Sequence, residues 1–333
     1  MNYEVSRTIP CNSITDEEST IRREWLATNG LGGFASGTLS GSVSRRYHGL
    51  LVAALPAPLG RTVMLSRIEE KLNIGDQCFF LNDQELIDTP LSKPCLYLKE
   101  FRLEMGLPVW VYQIEKYTLE KRILLQHQHN TVLINYTLLT APSTLGLELR
   151  PAVHFRALES VVDEDSVNIE QYRLTTNGDI YRIEGGDYPP LSMRILCDEC
   201  RFTIDNRRWD NIYFRLEYER GYPSVGKHWS PGCFRFDVNQ GQSITVVATT
   251  EDPDNLLSSF TDVLATEIDR RRALISQAAP QLRGNEQPEQ LCATELILAA
   301  DQFIITPACR AQETATALQE GEEAKTVIAG YHW

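Results

Sequence analysis

Residues 109–126, VWVYQIEKYTLEKRILLQ, and residues 131–139, TVLINYTLL, decide the fold class. Both are short alternating runs rich in β-branched and aromatic residues, the pattern of strands whose successive side chains point to opposite faces. Working outward, similar runs recur in GLLVAAL at 49–55, GLELRPAVHF at 146–155, NIYFRLEYER at 211–220 and QSITVVATT at 242–250. The breaks between runs, NIGDQ (73–77), MGLP (105–108), TNGD (176–179), EGGDYPP (184–190) and NQGQ (239–242), supply the Gly, Asn and Pro that tight turns require. From about Glu24 to Thr250 the chain is therefore predicted to be mainly β, an antiparallel β-sandwich of two sheets.

The pattern changes at Glu251. Asp252 is placed to N-cap a helix and Pro253 to open it. Leu256, Phe260, Val263, Leu264 and Ile268 then recur at helical spacing, with the DRRR charge at 269–272 towards the helix end. A polar break, AAPQLRGNEQPEQ (278–290), precedes a second helix in which Leu291, Leu298 and Ile305 share a face. TPACRAQETATALQEGEEAK (306–325) reads as an exposed loop before TVIAGYHW at the end. Three segments follow: 1–250 the sandwich, 251–285 a linker helix, and 286–333 the start of a helical domain. The aromatic ending predicts that the chain stops inside a larger protein.

The 333 residues carry 32 Lys+Arg against 45 Asp+Glu, a formal net charge of −13. That field repels polyanions, so neither nucleic acid nor an anionic membrane is an expected partner, while a neutral ligand is indifferent to it. An apolar fraction of 42% suits a chain with a sizeable core. The N-terminus has no apolar h-region and no stretch is long enough for a membrane helix. The eight cysteines are widely spread, as reduced thiols of a cytoplasmic protein would be.

GLGGFA, Gly30 to Ala35, matches the dinucleotide-binding fingerprint by letter, but a charged segment precedes it, a weak helix former follows, and no acid lies in 50–58. Its glycines, among them Gly30, Gly32 and Gly33, instead suit turns and close backbone approach, which also lets main-chain N–H groups reach a ligand. Downstream, Arg45, Arg46, Tyr47 and His48 read as a strand, with Arg45 and Tyr47 on one side and Arg46 and His48 on the other. Two arginines entering an apolar strand need carboxylate or carbonyl partners. Both an internal salt-bridge network and a role contacting sugar or an anion meet that need.

Other signals are weak. Glu69 and Glu70 are adjacent, so they point to opposite faces, and Asp163, Glu164 and Asp165 read as a solvated turn. Cys197 and Cys200 form one CxxC without a second pair, and His127 and His129 would share a strand face without a third ligand. No metal or cofactor is expected.

The segment EWLATNGLGGFASGTLSGSVSRRYHGLLVAALPAPLGRTVMLSRIEE, Glu24 to Glu70, resembles the opening of the bacterial and archaeal type of glycogen debranching enzyme. ELILAADQFII (295–305) and TVIAGYHW (326–333) are similar to the approach to that family's catalytic domain. The resemblance implies a supersandwich, a linker helix, and an (α/α)6 barrel that hydrolyses α-1,6-linked glucose at branch points of glycogen, with Pro288 to Ile305 as first barrel helix. In such an inverting hydrolase one carboxylic acid protonates the glycosidic oxygen and one carboxylate activates water. The family's chain continues past the YHW equivalent with a Trp-Gly-Arg-Asp type motif, so this chain is expected to stop before the catalytic carboxylates and to be inactive alone. Its partners would be glycogen or a branched α-glucan and the remaining catalytic domain.

The residues expected nearest sugar are Asn29, Gly30, Gly32, Gly33, Arg45, Arg46, Tyr47 and His48, with Tyr331, His332 and Trp333 from the barrel side. Planar donors suit vicinal hydroxyls and aromatic rings suit the apolar face of glucose. Interdomain cement is the competing role. A non-catalytic glucan-binding or scaffolding sandwich is the alternative to an enzyme module.

Overall fold

The computed structural model describes residues 6–10, 17–82, 84–89, 96–162, 169–197, 199–253, 259–278, 287–321 and 324–331. The alternating runs form two large antiparallel sheets. Numbering strands in chain order, the first sheet runs β1 (Ser6–Pro10), β7 (Leu98–Glu104), β8 (Leu107–Ile114), β9 (Tyr117–Leu125), β10 (Thr131–Thr140), β17 (Ser243–Thr249), β14 (Leu191–Leu196), β13 (Ile180–Glu184), β12 (Arg173–Asn177). The second runs β15 (Arg201–Tyr213), β16 (Val225–Val238), β11 (Leu145–Ala157), β5 (Arg61–Ile74), β4 (Gly49–Ala54), β3 (Phe34–Thr38), β2 (Glu24–Thr28), with β6 (Gln77–Phe80) beside β5. Trp25, Leu51 and Leu65 from the second sheet meet Trp110, Ile123, Ile134 and Val246 from the first in one core. The Trp110 ring sits 5.2 Å from Trp25 and 5.1 Å from Phe101, both edge-on.

Strand periodicity explains where the helical part docks. Leu124, Leu133 and Val247 lie side by side on adjacent strands and face outward from the first sheet. Helix α3 (Phe260–Gln277) lays Val263 and Ile268 across that row. Two residues further along, the row is Arg122, Asn135 and Thr245, which is polar. The helix thus covers the apolar strip and leaves the polar one.

The helical expectations need correcting in detail. The N-cap of α3 is Ser259, whose Oγ accepts from the Asp262 amide, so Asp252 and Pro253 precede the helix rather than open it. Residues 254–258, Leu256 included, lie outside the described residues. The DRRR run is mid-helix. Arg270 joins Glu267 and, at 2.8 Å, Asp301 of helix α4 (Gln287–Gln302), while Arg271 donates to Glu267 and to the Met105 carbonyl, both near 2.6 Å or less. These residues serve tertiary contacts rather than the helix dipole.

Leu298 is buried on α4, but Ile305 has left the helix for a two-stranded ribbon of β18 (Ile304–Ile305) and β19 (Thr326–Val327); the Leu291 side chain lies outside the described residues. The segment expected as a loop holds a further helix, α5 (Ala311–Gln319). The described residues contain no barrel; α4 packs on α3. No described helix is long and apolar enough to cross a membrane.

Candidate functional site

The glycine loop 29–33 is the turn of the hairpin β2–β3, in which Glu24 pairs with Thr38 and Thr28 with Phe34. A hairpin delivers no helix N-terminus to a phosphate, so the fingerprint letters carry no dinucleotide chemistry. Asn29 is buried and organises the loop. Its Oδ1 accepts from the Leu31 amide at 3.0 Å, and its Nδ2 donates to the His129 carbonyl at 2.9 Å and to Asn130 Oδ1 at 3.2 Å. Gly30 has φ +75°, and a Cβ there would sit 2.5 Å from the His127 ring. Gly33 is equally confined, with Asn29 Nδ2 and the Val52 carbonyl within 2.8 Å of a Cβ. Asn29, Gly30 and Gly33 therefore hold the loop in place. Gly32, also buried, faces Ile305, whose side chain a Cβ there would meet at 3.3 Å.

Residues 45–48 are a turn, not the expected strand; β4 begins only at Gly49. The turn closes through the His48 amide and the Arg45 carbonyl, 3.1 Å apart. Because of it, Arg45 and His48 converge instead of pointing to opposite faces. The Ser44 amide donates to His48 Nδ1 at 3.1 Å, so Nε2 carries a proton and donates to Glu24 Oε1 at 3.0 Å. Arg45 Nε donates to the same oxygen. Burial raises the Glu24 pKa, but the hydrogen bond from His48, then the hydrogen bond and charge of Arg45, outweigh it and pull it down to about 2.

Arg46 and Tyr47 are also internally engaged. The Arg46 amide donates to Glu217 at 3.0 Å, its guanidinium donates to the Tyr47 hydroxyl at 2.6 Å, and that hydroxyl donates to Glu159 at 3.3 Å. Arg156 lies beneath, donating to the Arg46 carbonyl and to the carbonyls of Ala157, Leu158 and Ser160. Burial and then the Arg46 charge push its pKa down to about 10. The carboxylate and carbonyl partners that two arginines require are thus supplied by the protein itself. That favours the salt-bridge reading for Arg45, Arg46 and His48.

The β2–β3 hairpin and the segment ending at Tyr331 meet. Tyr331 packs against Phe34, ring centres 5.3 Å apart, in a cluster with Tyr47, Val52, Val63 and Leu158 on the outer side of β2–β5. Burial pushes its phenol up to about 12, and its hydroxyl donates to the Gln302 carbonyl. The Thr306 amide donates to the Gly30 carbonyl at 2.8 Å, and Arg61 donates to the Gly330 carbonyl at 3.2 Å. Between these ties lies a groove of about 360 Å³ lined by Leu31, Gly32, Ala54, Leu55, Gly60, Arg61, Ile305 and the segment Ile328 to Gly330. His332 and Trp333 lie outside the described residues. The walls are apolar, and one guanidinium stands at the edge, a combination that suits a ligand with an apolar face and polar rim.

Sequence reasoning missed Arg61, Glu159, Glu217 and Ile328 at this seam. For Arg61 the signal was present, a cation opening an apolar strand; for the carboxylates only spatial proximity identifies them.

The remaining leads disperse. His127 and His129 lie in the turn 126–130, not on a strand; His129 pairs with Glu251 at 2.8 Å, and burial pushes the His127 pKa down. Glu69 and Glu70 do point apart: Glu70 lies in the core against Lys121 and Tyr136, Glu69 pairs with Arg207. Burial and then Cys197 push the Cys200 thiol up to about 12, away from nucleophilic character. Among the described residues no group of three or more His, Cys, Asp or Glu is placed to hold a metal. Residues 163–165 lie outside the described residues.

A family model described as "Glycogen debranching enzyme N terminal" matches residues 23–245, the stretch that holds the hairpin half of this seam. Among curated proteins there is no match. Similar solved structures include a bacterial glucoamylase complexed with acarbose, at 9% identity and TM-score 0.46, covering 86% of this chain and 39% of that one. An α-N-acetylgalactosaminidase from Bifidobacterium bifidum matches at 13% and 0.30, covering 78% and 40%. A family GH92 α-mannosidase from Bacteroides thetaiotaomicron matches at 11% and 0.24, covering 80% and 34%. The chain spans two fifths or less of the length of each. With the family model covering about two thirds of its residues, this chain belongs to the glycogen debranching enzyme N-terminal family.

Proposed function

We propose that the chain is the N-terminal part of a glycogen debranching enzyme that hydrolyses α-1,6 branch points of glycogen or limit dextrin. In this reading 1–250 is the sandwich, 251–285 the linker, and 286–333 the start of an (α/α)6 glucosidase domain, with α4 its first helix. The observation that carries it is the seam: the family's glycine loop and the segment at 328–330 wall one groove, suited to a neutral pyranose. The sandwich would hold glucan there, and the catalytic acid and base would come from the barrel domain.

The electrostatics support that division of labour. Glu24, Glu148, Glu170, Asp205 and Glu267 all have pKa values displaced downward. A general acid needs a displacement upward to stay protonated near neutral pH, the opposite of the displacement at these five. Cys78, Cys197, Cys200, Cys233 and Cys292 stand as thiols rather than disulfides, which suits a reducing cytoplasm.

Two measurements test the reading. Calorimetric titration of residues 1–333 with a short branched α-glucan oligosaccharide should show binding, weakened by Gly330→Trp, whose side chain enters the groove from a position with open space. No heat with the parent chain sinks the glucan reading. Glucose release from limit dextrin should stay at the buffer rate; release above it would overturn the assignment of the acid and base to another domain.

A further inference from the structure

We propose that Tyr218 and Tyr222, on the short helix–turn that follows β15, form a second glucan-binding platform on the sandwich surface. The proposal rests on the glucan reading above and adds a site outside the groove. Helix α2 (Arg215–Glu219) is too short to be stable by itself, and the fold nails it down. The Leu216 amide donates to the Ser44 carbonyl at 3.0 Å, and buried Glu217 receives the Arg46 amide. The turn after it is closed by the Gly221 amide on the Tyr218 carbonyl and the Tyr222 amide on the Glu217 carbonyl, both 2.9 Å. Two tyrosines thus stand on a rigid mount.

Both rings face solvent. Tyr218 is 65% and Tyr222 47% exposed, whereas Tyr47, Tyr112, Tyr117, Tyr136 and Tyr172 are buried. An exposed tyrosine on a fixed mount loses little entropy on binding, so its ring is a preorganised stacking surface. Tyr222 is fixed further: the Arg46 guanidinium lies 5.0 Å from its ring centre and 4.8 Å from that of Tyr47. Tyr213 flanks Tyr218 at 5.8 Å between ring centres, tilted by 53°, which makes the surface curved rather than flat. Stacked Tyr47 and Arg46 connect this surface to the Phe34–Tyr331 cluster beside the groove.

Three arginines around the tyrosines are compensated by carboxylates. Arg22 pairs with Glu219 at 2.9 Å, Arg215 with Glu85 at 2.6 Å, and Arg46 with Glu217 at 3.9 Å. Those pairs offer a charged ligand little free charge, and the net charge of −13 disfavours polyanions. A pyranose fits both facts, with its C–H face on a ring and its hydroxyls against the bordering ion pairs.

Affinity electrophoresis of residues 1–333 through gels containing glycogen tests the platform. The parent should be retarded, Tyr218→Ala/Tyr222→Ala should bind roughly five- to tenfold more weakly, and Tyr218→Phe or Tyr218→Trp should retain binding. Because Tyr222 also supports Arg46, Tyr218→Ala alone should weaken retention with an unchanged melting curve. Unaltered retention of the double variant, or no retention of the parent, overturns the platform. So does a changed sedimentation coefficient without loss of glycogen binding, the mark of a protein-binding face. The groove is read through Gly330→Trp in the oligosaccharide titration and the platform through the two tyrosines in the gel, so unaltered retention of the double variant leaves the groove reading standing, whereas heat unchanged by Gly330→Trp together with Tyr-dependent retention sinks the groove and leaves the platform.

Discussion

Glu24 compensates two groups with one carboxylate, and its depressed pKa makes that a measurable contribution to stability. A folded-state value of about 2 against 4.5 means the contribution is present above pH 4.5 and is lost as the pH falls towards 2. The shift corresponds to about 3 kcal/mol at most. Glu24→Gln is therefore expected to lose about 2–3 kcal/mol at pH 7 and to converge on the parent near pH 2; urea melts at several pH values check this, and a pH-independent gap would refute it. Glycines separate in the same way. Gly30→Ala must displace the His127 ring and adopt φ +75°, whereas Gly60→Ala, at φ +62°, meets nothing within 4 Å. The first is expected to cost about 2–3 kcal/mol and the second about 1 kcal/mol, read from thermal melts.

At the scale of elements, α3 is held by an apolar row and one buried charge pair. Arg271 and Glu267 are nearly excluded from solvent, and Arg271 also donates to the Met105 carbonyl. Replacing Arg271 by Met leaves a buried carboxylate short of one partner and should cost about 2–4 kcal/mol. Arg272, one residue on, pairs with Asp269 in the open, so Arg272→Met should stay within about 0.5 kcal/mol. Hydrogen exchange across 260–277 should rise in the first variant only. Leu133→Ala, under the centre of the helix, should cost about 2–4 kcal/mol and expose the same amides.

For the whole molecule, the net charge and the neutral ligand proposed above together set the salt response. Stacking and hydrogen bonding to an uncharged glucan release no counterions. Retention in glycogen gels should therefore hold constant between about 50 mM and about 500 mM salt, where a bound polyanion would be shed. A steep fall in retention with salt would exclude a neutral ligand.

Side-chain alternation along a strand is a local property, and it was enough to determine two antiparallel sheets from Val109–Gln126 and its relatives and the opposed directions of Glu69 and Glu70, whereas the outward row that receives α3 needed the register between strands. Charge chemistry likewise required carboxylates for Arg45 and Arg46 without naming them. Only the tertiary structure chose Glu24 and Glu217, the latter 171 residues away, turned 45–48 away from strand geometry through bonds to Glu217 and within Ser44–His48, and folded 306–325 partly into helix. It alone brought Tyr331 onto Phe34 and Arg61 onto Gly330. Those outcomes depend on groups far apart in the chain, whose proximity no local pattern encodes because folding, not spacing, creates it.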